Sequence, residues 1–513
     1  MRATELAAPV RSKSGCGNPG LWLAVVLLFV VHAVFAAVAG LTDDEAYYRL
    51  WSLAPALSYY DHPPVVAWLI AAGRALAGDT ELGLRLFAPL LLALGAAVQW
   101  RTALLLTNSE TARTATWFFV AMPLLSVGGV IVTPDLPSVL FYGLVVCGLA
   151  ELERTQNANW WLAVGLAAGF GMVSKYTNLF AGVTILVWVL AVPINRKWLA
   201  SPQFWLGGII ALLVKSPVLI WNWQHGGASF AKQFGRAGHG AEFGVRYPLE
   251  LIGGVLGLAS PMIAGLAAIG LVSVTLRACD ERDSRMVLLA AAIVPLLAYF
   301  AVHALHDRVQ ANWLAPLYPP LAICAAVGLN TAAETSRRRL SRWAVALGLV
   351  MTALIYVHAI WPVVQLQKDP SSQMRGWPEF SGIIEKLRQA HGAEWVATSS
   401  YATAGQLSFA LRHVTPVAQL NDRIRHEHLP ALPRERFVAA ALYVELERRV
   451  GESMLAECFA QAKRVAMVRR DDGTAGGADY AVYALAGAAE TCAGETGPPH
   501  AAPILPVGTT VPK

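Results

Sequence analysis

The chain has 513 residues, of which 56% are hydrophobic and only 14% are charged, and its mean hydropathy is +0.47. A soluble domain carries about 25% charged residues, so the composition excludes an ordinary soluble protein and indicates a polytopic membrane protein. The net charge of +6 is accounted for by basic residues in the connections between apolar segments and requires no nucleic acid as partner.

Apolar windows of the length that crosses a bilayer recur from residue 20 to residue 364. We predict about eleven transmembrane helices, at 20–40, 82–106, 113–132, 136–152, 159–174, 177–194, 203–222, 248–276, 286–304, 312–330 and 342–364. The shorter apolar segment 64–78 is predicted to lie along the membrane interface. The first window lacks a small-residue cleavage site and is predicted to be a retained helix.

Basic residues occupy alternate connections, and the positive-inside rule makes that side cytoplasmic. The protein is therefore predicted to be a multi-pass membrane protein with a cytoplasmic N-terminus. An odd number of helices places the region after residue 365 on the opposite side, in the periplasm or exterior. There, 366–487 is predicted to be a small α/β domain, with strands at 395–398, 465–468 and 480–485 and a helix at 402–411. The tail 488–513 is predicted to be disordered, and Cys458 and Cys492, both external, could pair.

The first predicted outer loop concentrates reactive side chains. Residues 41–64 hold four carboxylates, four tyrosines and a histidine, including Asp44, Glu45, Tyr47, Tyr48, Tyr60, Asp61 and His62. Ionisable groups at the mouth of a membrane bundle are costly to bury and indicate a functional site.

The other predicted outer connections carry further polar clusters. They contain Asp135, Lys175, Tyr176, Arg236, His239, Arg308, Asn312 and Trp313. If the helices form one bundle, these loops converge on one outward cavity. Structural alternatives stay open: Asp135 follows Pro134 and could be a first-turn helix acid, Lys175 could extend to the interface, and Trp313 could belong to an interfacial belt.

Chemical motifs of other enzyme classes are missing from the sequence. It contains no Walker A loop, no dinucleotide-binding glycine fingerprint and no zinc-ligand spacing, so ATP hydrolysis and nicotinamide chemistry are unsupported. No cofactor is required by the sequence. Asp61 and His62 could ligate a divalent metal, but two ligands do not make a site.

Residues 44–48 and 60–64 resemble the first outer loop of the GT-C integral-membrane glycosyltransferases. The branch concerned contains bacterial relatives of protein O-mannosyltransferases, the lipid A aminoarabinose transferase and rhizobial galacturonosyltransferases. Residues 133–135 resemble its second acidic motif, 174–176 its lysine element, and 312–318 a later motif. The resemblance covers roughly 20–365, so it implies an all-α polytopic GT-C-like membrane bundle over 1–365, with an outer-loop active site and a trailing external α/β domain.

The resemblance also implies a reaction. A sugar carried on polyprenyl phosphate would be transferred on the outer face to a glycolipid or protein hydroxyl, within reach of membrane lipids. Asp44 matches the family base, with Glu45 orienting the site. Asp135 matches the second acid, which would position the acceptor or Lys175. Lys175 matches the lysine that stabilises the leaving phosphate, with Arg236, His239 and Arg308 as further candidates. Direct in-line displacement would invert the anomeric centre.

Two departures concern the donor sugar. The aminoarabinose transferase carries an arginine where this chain has Tyr47, and Glu-Lys-Pro-Pro where this chain has residues 61–64. One cation is therefore missing and another is replaced by the imidazole of His62. Two hypotheses of other classes remain: a transporter or flippase of envelope glycolipids, which would favour mid-membrane charges and internal repeats, and a non-catalytic assembly subunit.

Overall fold

The computed structural model describes residues 19–235, 244–366, 369–474, 477–489 and 502–503. Up to residue 366 the regular structure is helical. Its α-helices are α1 (Pro19–Val38), α2 (Asp43–Leu53), α3 (Val65–Ala77), α4 (Glu81–Arg85), α5 (Phe87–Leu106), α6 (Ser109–Ala121), α7 (Pro123–Gly128), α8 (Asp135–Thr155), α9 (Trp160–Ser174), α10 (Phe180–Ala191), α11 (Pro202–Gln224), α12 (Ala228–Gly235), α13 (Arg246–Ala259), α14 (Pro261–Asp280), α15 (Ser284–Ala291), α16 (Val294–His303), α17 (Tyr318–Leu329) and α18 (Glu334–Ile360).

The membrane-spanning helices are fewer than the sequence predicts. Among the described residues, seven helical stretches are long and apolar enough to cross a membrane, and two bent pairs raise the number to nine. The seven are Glu81–Leu106, Asp135–Thr155, Pro202–Gln224, Pro261–Asp280, Ser284–His303, Ala311–Leu329 and Glu334–Ile360. In one bent pair, α2 turns by 84° away from α1, so we place α2 outside the span.

The predicted count of eleven is not confirmed, and two windows account for the difference. The window 113–132 is interrupted at Pro123, where α6 gives way to the short α7, because proline lacks the N–H that would continue the helix. The window 159–174 forms α9, whose 15 residues extend about 22 Å, less than the ~30 Å hydrocarbon core. The short apolar segment 64–78 forms α3, of 13 residues.

Close contacts between glycines hold parts of the bundle together. A Cβ on Gly165 of α9 would lie 2.1 Å from the carbonyl oxygen of Gly207 in α11. A Cβ on Gly270 of α14 would lie 1.8 Å from the carbonyl oxygen of Cys324 in α17. Such small residues let helix backbones approach closely, which is how membrane helices gain packing energy without a hydrophobic driving force.

The region after residue 366 is a mixed α/β unit. It contains α19 (Trp377–Ala390), β1 (Trp395–Thr398), α20 (Tyr401–Ala410), β2 (Val417–Gln419), α21 (Arg434–Phe437), β3 (Ala441–Leu446), α22 (Glu452–Cys458), β4 (Phe459–Arg470), β5 (Ala478–Ala488) and β6 (Ala502–Pro503). The strands form one sheet in the order β4-β5-β3-β1-β2-β6. β1 is parallel to β2 and β3, whereas β5 pairs antiparallel with β3 and β4.

The predicted strands at 395–398, 465–468 and 480–485 lie within β1, β4 and β5, and the predicted helix at 402–411 coincides with α20. In the tail predicted to be disordered, residues 502–503 form β6, paired with β2, while 490–501 and 504–513 lie outside the described residues. Cys458 is disulfide-bonded, and its predicted partner Cys492 also lies outside them.

The α/β unit packs directly on α2. A Cβ on Gly405 of α20 would lie 2.8 Å from the backbone nitrogen of Tyr47, so the two helices meet backbone to backbone. The Gln406 side chain donates to the carbonyl oxygen of Leu41 (2.9 Å) and to Asp43 Oδ1 (3.0 Å). The first outer loop is therefore held between the membrane bundle and the sheet unit.

Candidate active site

The start of α2 is fixed by a capping box. Thr42 Oγ1 accepts from the backbone N–H of Glu45 (3.2 Å), and Glu45 Oε2 accepts from the backbone N–H of Thr42 (3.0 Å). This reciprocal pair satisfies two N–H groups at the helix start. The positive end of the helix dipole also favours the three acids of the first turn, Asp43, Asp44 and Glu45.

Glu45 is buried and joins three parts of the chain. Its carboxylate forms an ion pair with Arg85 (2.6 Å), and both side chains are fully buried. Arg85 also donates to the carbonyl oxygens of Ala39 (2.6 Å) and Gly40 (2.7 Å), which follow α1. Glu45 Oε1 accepts from the N–H of Val132 (2.9 Å), three residues before Asp135. Glu45 therefore positions both acidic motifs and does not line the cavity described next.

A cavity of about 450 Å³, the main cavity, lies beside α2. Its polar lining includes Asp44, Tyr47, Tyr48, Asp61, His62, Lys175, Lys232, Gln233, Tyr401 and Arg425, and its apolar lining includes Leu179, Phe180, Tyr299, Phe300 and Trp313. Phe180 and Tyr299 are neighbours, with ring centroids 5.3 Å apart, and Phe300 and Trp313 are 6.0 Å apart. Leu179 and Tyr299 are each 41% exposed. The cavity thus combines a charged region with an apolar, largely aromatic wall.

The Asp44 carboxylate faces the main cavity. Within the described part of the chain it makes no hydrogen bond or ion pair, although the cavity walls surround it. This burial, together with the negative charges of Asp43, Asp61, Asp135 and Glu45, raises the pKa of Asp44 to about 6. A carboxylate with such a pKa is ionised at neutral pH and is a stronger base than an ordinary aspartate.

Asp61 gathers two cations from distant parts of the chain. It is ion-paired with Lys232 of α12 and with Arg425 of the α/β unit, and it accepts from the hydroxyl of Tyr47 (2.8 Å). Burial alone would raise the pKa of Asp61, but the charges of Arg425 and Lys232 hold it below its usual value. We call Asp61, Lys232 and Arg425 the Asp61 cluster, and its net charge is one positive.

Aromatic rings enclose the Asp61 cluster. Arg425 lies over the rings of Tyr401 (5.0 Å), Tyr60 (5.6 Å) and Tyr47 (6.0 Å), and Lys232 lies over Tyr60 (4.2 Å). Such cation–π contacts hold the guanidinium and the ammonium in place. His62 contributes no charge at neutral pH, because burial lowers its pKa to about 4.

A second acid–base group, the Asp135 triad, consists of Asp135, Lys175 and Asn312. Asp135 opens α8 and is ion-paired with Lys175, which follows α9. The Asn312 amide donates to Asp135 Oδ2 (3.0 Å), and Lys175 donates to the carbonyl oxygen of Asn312 (3.1 Å). Three sequence elements that resemble family motifs therefore meet at one point, beside the main cavity.

The structure brings most of the predicted site residues together. Tyr176 lines the cavity and its hydroxyl bonds Ser229 (2.8 Å). Arg308 lies elsewhere, 70% exposed, and pairs with Glu250 (3.1 Å). Arg236 and His239 lie outside the described residues.

No group of three or more potential metal ligands occurs among the residues that the structure describes. Asp61, one of the two weak candidates, is already paired with two cations, which compete with a divalent metal.

Sequence reasoning missed Arg425 and Tyr401. Both belong to the α/β unit, and Arg425 lies 364 residues from Asp61 in the chain. The only local signal was the charged stretch 421–428, which reads as an ordinary solvated loop. Arg85 was missed as well, because it lies near the start of the window 82–106, which is predicted to be a transmembrane helix.

Comparisons with known proteins agree with this geometry. Residues 61–221 match the family described as dolichyl-phosphate-mannose-protein mannosyltransferase. This matched part of the chain is similar to a glycosyltransferase family that uses a lipid-phosphate sugar. A curated relative, lipid A galacturonosyltransferase RgtD of Rhizobium johnstonii, is 26% identical over 404 residues, which cover 77% of this chain and 83% of the relative. These comparisons give the transporter hypothesis no support.

Solved structures share the fold of this chain. ArnT from Cupriavidus metallidurans in the apo state superposes with a TM-score of 0.60 and 17% identity, covering 91% of this chain and 97% of ArnT. The same enzyme bound to undecaprenyl phosphate gives the same TM-score and identity and is covered to 98%. The similarity spans both the membrane bundle and the α/β unit, so this multi-pass inner-membrane protein has an ArnT-like fold.

Proposed function

We propose that the protein transfers a sugar from a polyprenyl-phosphate carrier to a hydroxyl of an envelope glycolipid of the lipid A type. The observation that carries this proposal is the main cavity. A base with a raised pKa, a cluster of net positive charge and an apolar, largely aromatic wall are the three features that an amphipathic phosphosugar donor requires. The relative's name, a lipid A galacturonosyltransferase, supports the acceptor class.

Each group then has a chemical role. Asp44 accepts the proton of the acceptor hydroxyl as that oxygen attacks the anomeric carbon. The bond between the anomeric carbon and the phosphate oxygen breaks, and the phosphate leaves with both electrons. The Asp61 cluster binds that phosphate, because Lys232 and Arg425 outnumber Asp61 in charge. Attack opposite to the leaving group inverts the anomeric centre.

The Asp135 triad contains a further cation, Lys175, that could bind the phosphate. Lys175 is neutralised by Asp135 in this structure, and its ammonium can turn toward a bound phosphate while Asn312 continues to hold Asp135. Asp135 is therefore proposed to position Lys175, and Glu45 to position Asp44.

The donor sugar is proposed to be a uronic acid. Lys232 and Arg425 converge on Asp61, and neither corresponds to a sequence position where the aminoarabinose transferase carries its own cation. A net positive cluster favours the carboxylate of a uronic acid over the ammonium of an amino sugar. The name of the Rhizobium relative supports the same class.

The topology is proposed with the cavity on the periplasmic side. The N-terminus is then cytoplasmic, the membrane domain ends near residue 365, and the α/β unit is periplasmic, as the distribution of basic residues indicates. A lipid-carried donor suits this side, because nucleotide sugars are confined to the cytoplasm.

The test compares envelope glycolipids by mass spectrometry in cells with the wild-type protein, no protein or Asp44→Asn. We expect one glycolipid to lose a sugar in the null and Asp44→Asn cells, because a positioned base contributes about 10²–10⁴-fold to the rate. Asp307→Asn, an acid of a neighbouring loop that binds the Arg308 N–H (2.6 Å), is the matched control and should behave as wild type. Full glycolipid in Asp44→Asn cells at equal protein abundance would contradict the proposal.

A further inference from the structure

A second cavity, the domain cavity, lies on the other side of the first turn of α2. It measures about 700 Å³, and the α/β unit provides most of its lining. Asp43 lines the domain cavity, whereas Asp44 lines the main cavity. Likewise Ala402 lines the domain cavity and Tyr401 lines the main cavity. Consecutive Cα atoms are about 3.8 Å apart, so one thin wall, made of the starts of α2 and α20, separates the two spaces.

Two of the three arginines that line the domain cavity are available to a ligand. Arg448 and Arg449 are exposed at its rim, and within the described chain neither forms an ion pair. Arg449 makes only a long hydrogen bond to Ser400 Oγ (3.4 Å). Arg470 is already engaged, since its Nη1 donates to the carbonyl oxygens of Ser372 (2.8 Å) and Arg375 and its guanidinium lies over the Trp377 ring (4.8 Å).

Five carboxylates line the domain cavity, and all but the exposed Asp479 have a partner in the described part of the chain. Asp43 accepts from the Gln406 amide (3.0 Å), Asp369 pairs with Arg375 (2.5 Å), and Glu447 pairs with Arg464 (3.0 Å). Asp472 accepts from the backbone N–H of Thr474 (2.9 Å) within its own turn. Arg448 and Arg449 have no such carboxylate partner there, and guanidinium binds phosphate and carboxylate in a bidentate fashion.

We infer that the domain cavity binds the headgroup of the acceptor, a saccharide that carries an anionic substituent contacted by Arg448 and Arg449. This inference rests on the proposed transfer reaction. The donor's phosphate and lipid occupy the main cavity, so the anionic substituent of the acceptor is held in the domain cavity while its reacting hydroxyl reaches over the thin wall to Asp44. The volume of the domain cavity lies in the range of about 300–1,000 Å³ that ligand pockets usually have, and the polar lining of this cavity suits a hydrated sugar.

The experiment measures steady-state transfer by the purified full-length protein, with polyprenyl-phosphate uronate as donor and purified lipid A as acceptor. In Arg448→Gln/Arg449→Gln we expect the KM for lipid A to rise about tenfold or more, because hydrogen bonds to charged groups are lost. The KM for the donor should stay unchanged. Arg448→Lys/Arg449→Lys retains the charge and should recover part of the affinity.

The matched control is Lys386→Gln/Lys463→Gln, which removes two charges from exposed positions of the same unit outside both cavities. Its KM for lipid A should equal that of the wild type. A second arm uses phosphatase-treated lipid A. If treatment raises the wild-type KM and abolishes the difference between wild type and Gln variant, the contacted anion is a phosphate. If the difference persists, it is a carboxylate.

The inference is overturned if the Gln variant keeps the wild-type KM for lipid A, or if its donor KM rises instead. In that event Asp44→Asn separates the two proposals. If Asp44→Asn abolishes transfer, the proposed transfer reaction is supported and only the proposed acceptor site is withdrawn. If the wild-type protein transfers no sugar but binds lipid A more tightly than the Gln variant does, the proposed reaction is withdrawn and the proposed acceptor site stands.

Discussion

At the scale of single residues, the site depends on two aspartates in opposite electrostatic states. Asp44 faces other carboxylates, and its pKa rises to about 6, whereas Asp61 faces two cations and its pKa is held low. Proximity in sequence does not explain the state of Asp61, which obtains its partners from α12 and the α/β unit. When the environment separates the pKa values of two carboxylates in this way, one can act as a base while the other stays ionised and holds cations in place.

The raised pKa of Asp44 predicts an acid limb in the rate of transfer. Below pH about 6 the carboxyl is protonated and cannot accept a proton, so kcat/KM should fall about tenfold for each pH unit. The measurement is the pH profile of transfer by the purified protein.

Asp135→Asn provides an internal check of this cause. Its negative charge helps to raise the pKa of Asp44, so the acid limb should move to lower pH when the charge is removed. A wild-type limb near the ordinary value of 3.8 would show that the cavity does not perturb Asp44.

At the scale of elements, the contact between α2 and α20 decides where the base and Tyr401 lie. The two helices meet at Gly405, whose missing side chain allows the approach. Glu45 fixes the other face of α2 through Arg85 and Val132. α2 is therefore held on two sides, and its first turn forms the wall between the two cavities.

Gly405→Ala is expected to destabilise the protein by about 1–3 kcal/mol, since a Cβ 2.8 Å from the Tyr47 backbone nitrogen forces the helices apart. Transfer activity should fall with it, because Tyr401 moves away from the main cavity. Thermal unfolding of the purified protein measures the first effect.

Gly382→Ala is the matched control, since a Cβ at this position of α19 would meet nothing within 4 Å. Alanine is the better helix former there, so stability should rise by about 0.5–1 kcal/mol. Equal unfolding temperatures for the Gly405→Ala variant and the wild type would mean that α20 does not press on α2.

At the scale of the whole molecule, the α/β unit is part of the site. Arg425 and Tyr401 enter the main cavity from this unit, and Asp43 enters the domain cavity from the membrane bundle. The α/β unit also brings a cation to the first loop, since the Arg425 guanidinium lies 6.0 Å from the centroid of the Tyr47 ring. Both cavities are therefore formed only when the two units are docked.

Arg425→Gln is expected to lower kcat/KM for the donor by about tenfold or more, because a guanidinium that organises Asp61 is lost. The KM for the acceptor should change little. Arg436→Gln, in α21 and outside both cavities, is the control. An Arg425→Gln protein with the wild-type donor KM would exclude Arg425 from the donor site.

The sequence by itself determined the membrane character, the crowded first loop and the resemblance of residues 44–48, 133–135 and 174–176 to family motifs. These features are local: hydropathy, helix capping and motif spacing are read within a few turns of chain. The same reasoning located three of the six described strands of the α/β unit, because each of the three contains a short β-branched or aromatic run.

Only the tertiary structure decided which cations meet which acids. Lys175 reaches Asp135 across 40 residues, Lys232 reaches Asp61 across 171, and Arg425 reaches Asp61 across 364. The span count depended on the tertiary structure in the same way, since the short α9 packs between α8 and α11. Pairing over such distances follows from how helices and sheet pack as a whole. Local sequence patterns therefore do not predict which distant residues pair.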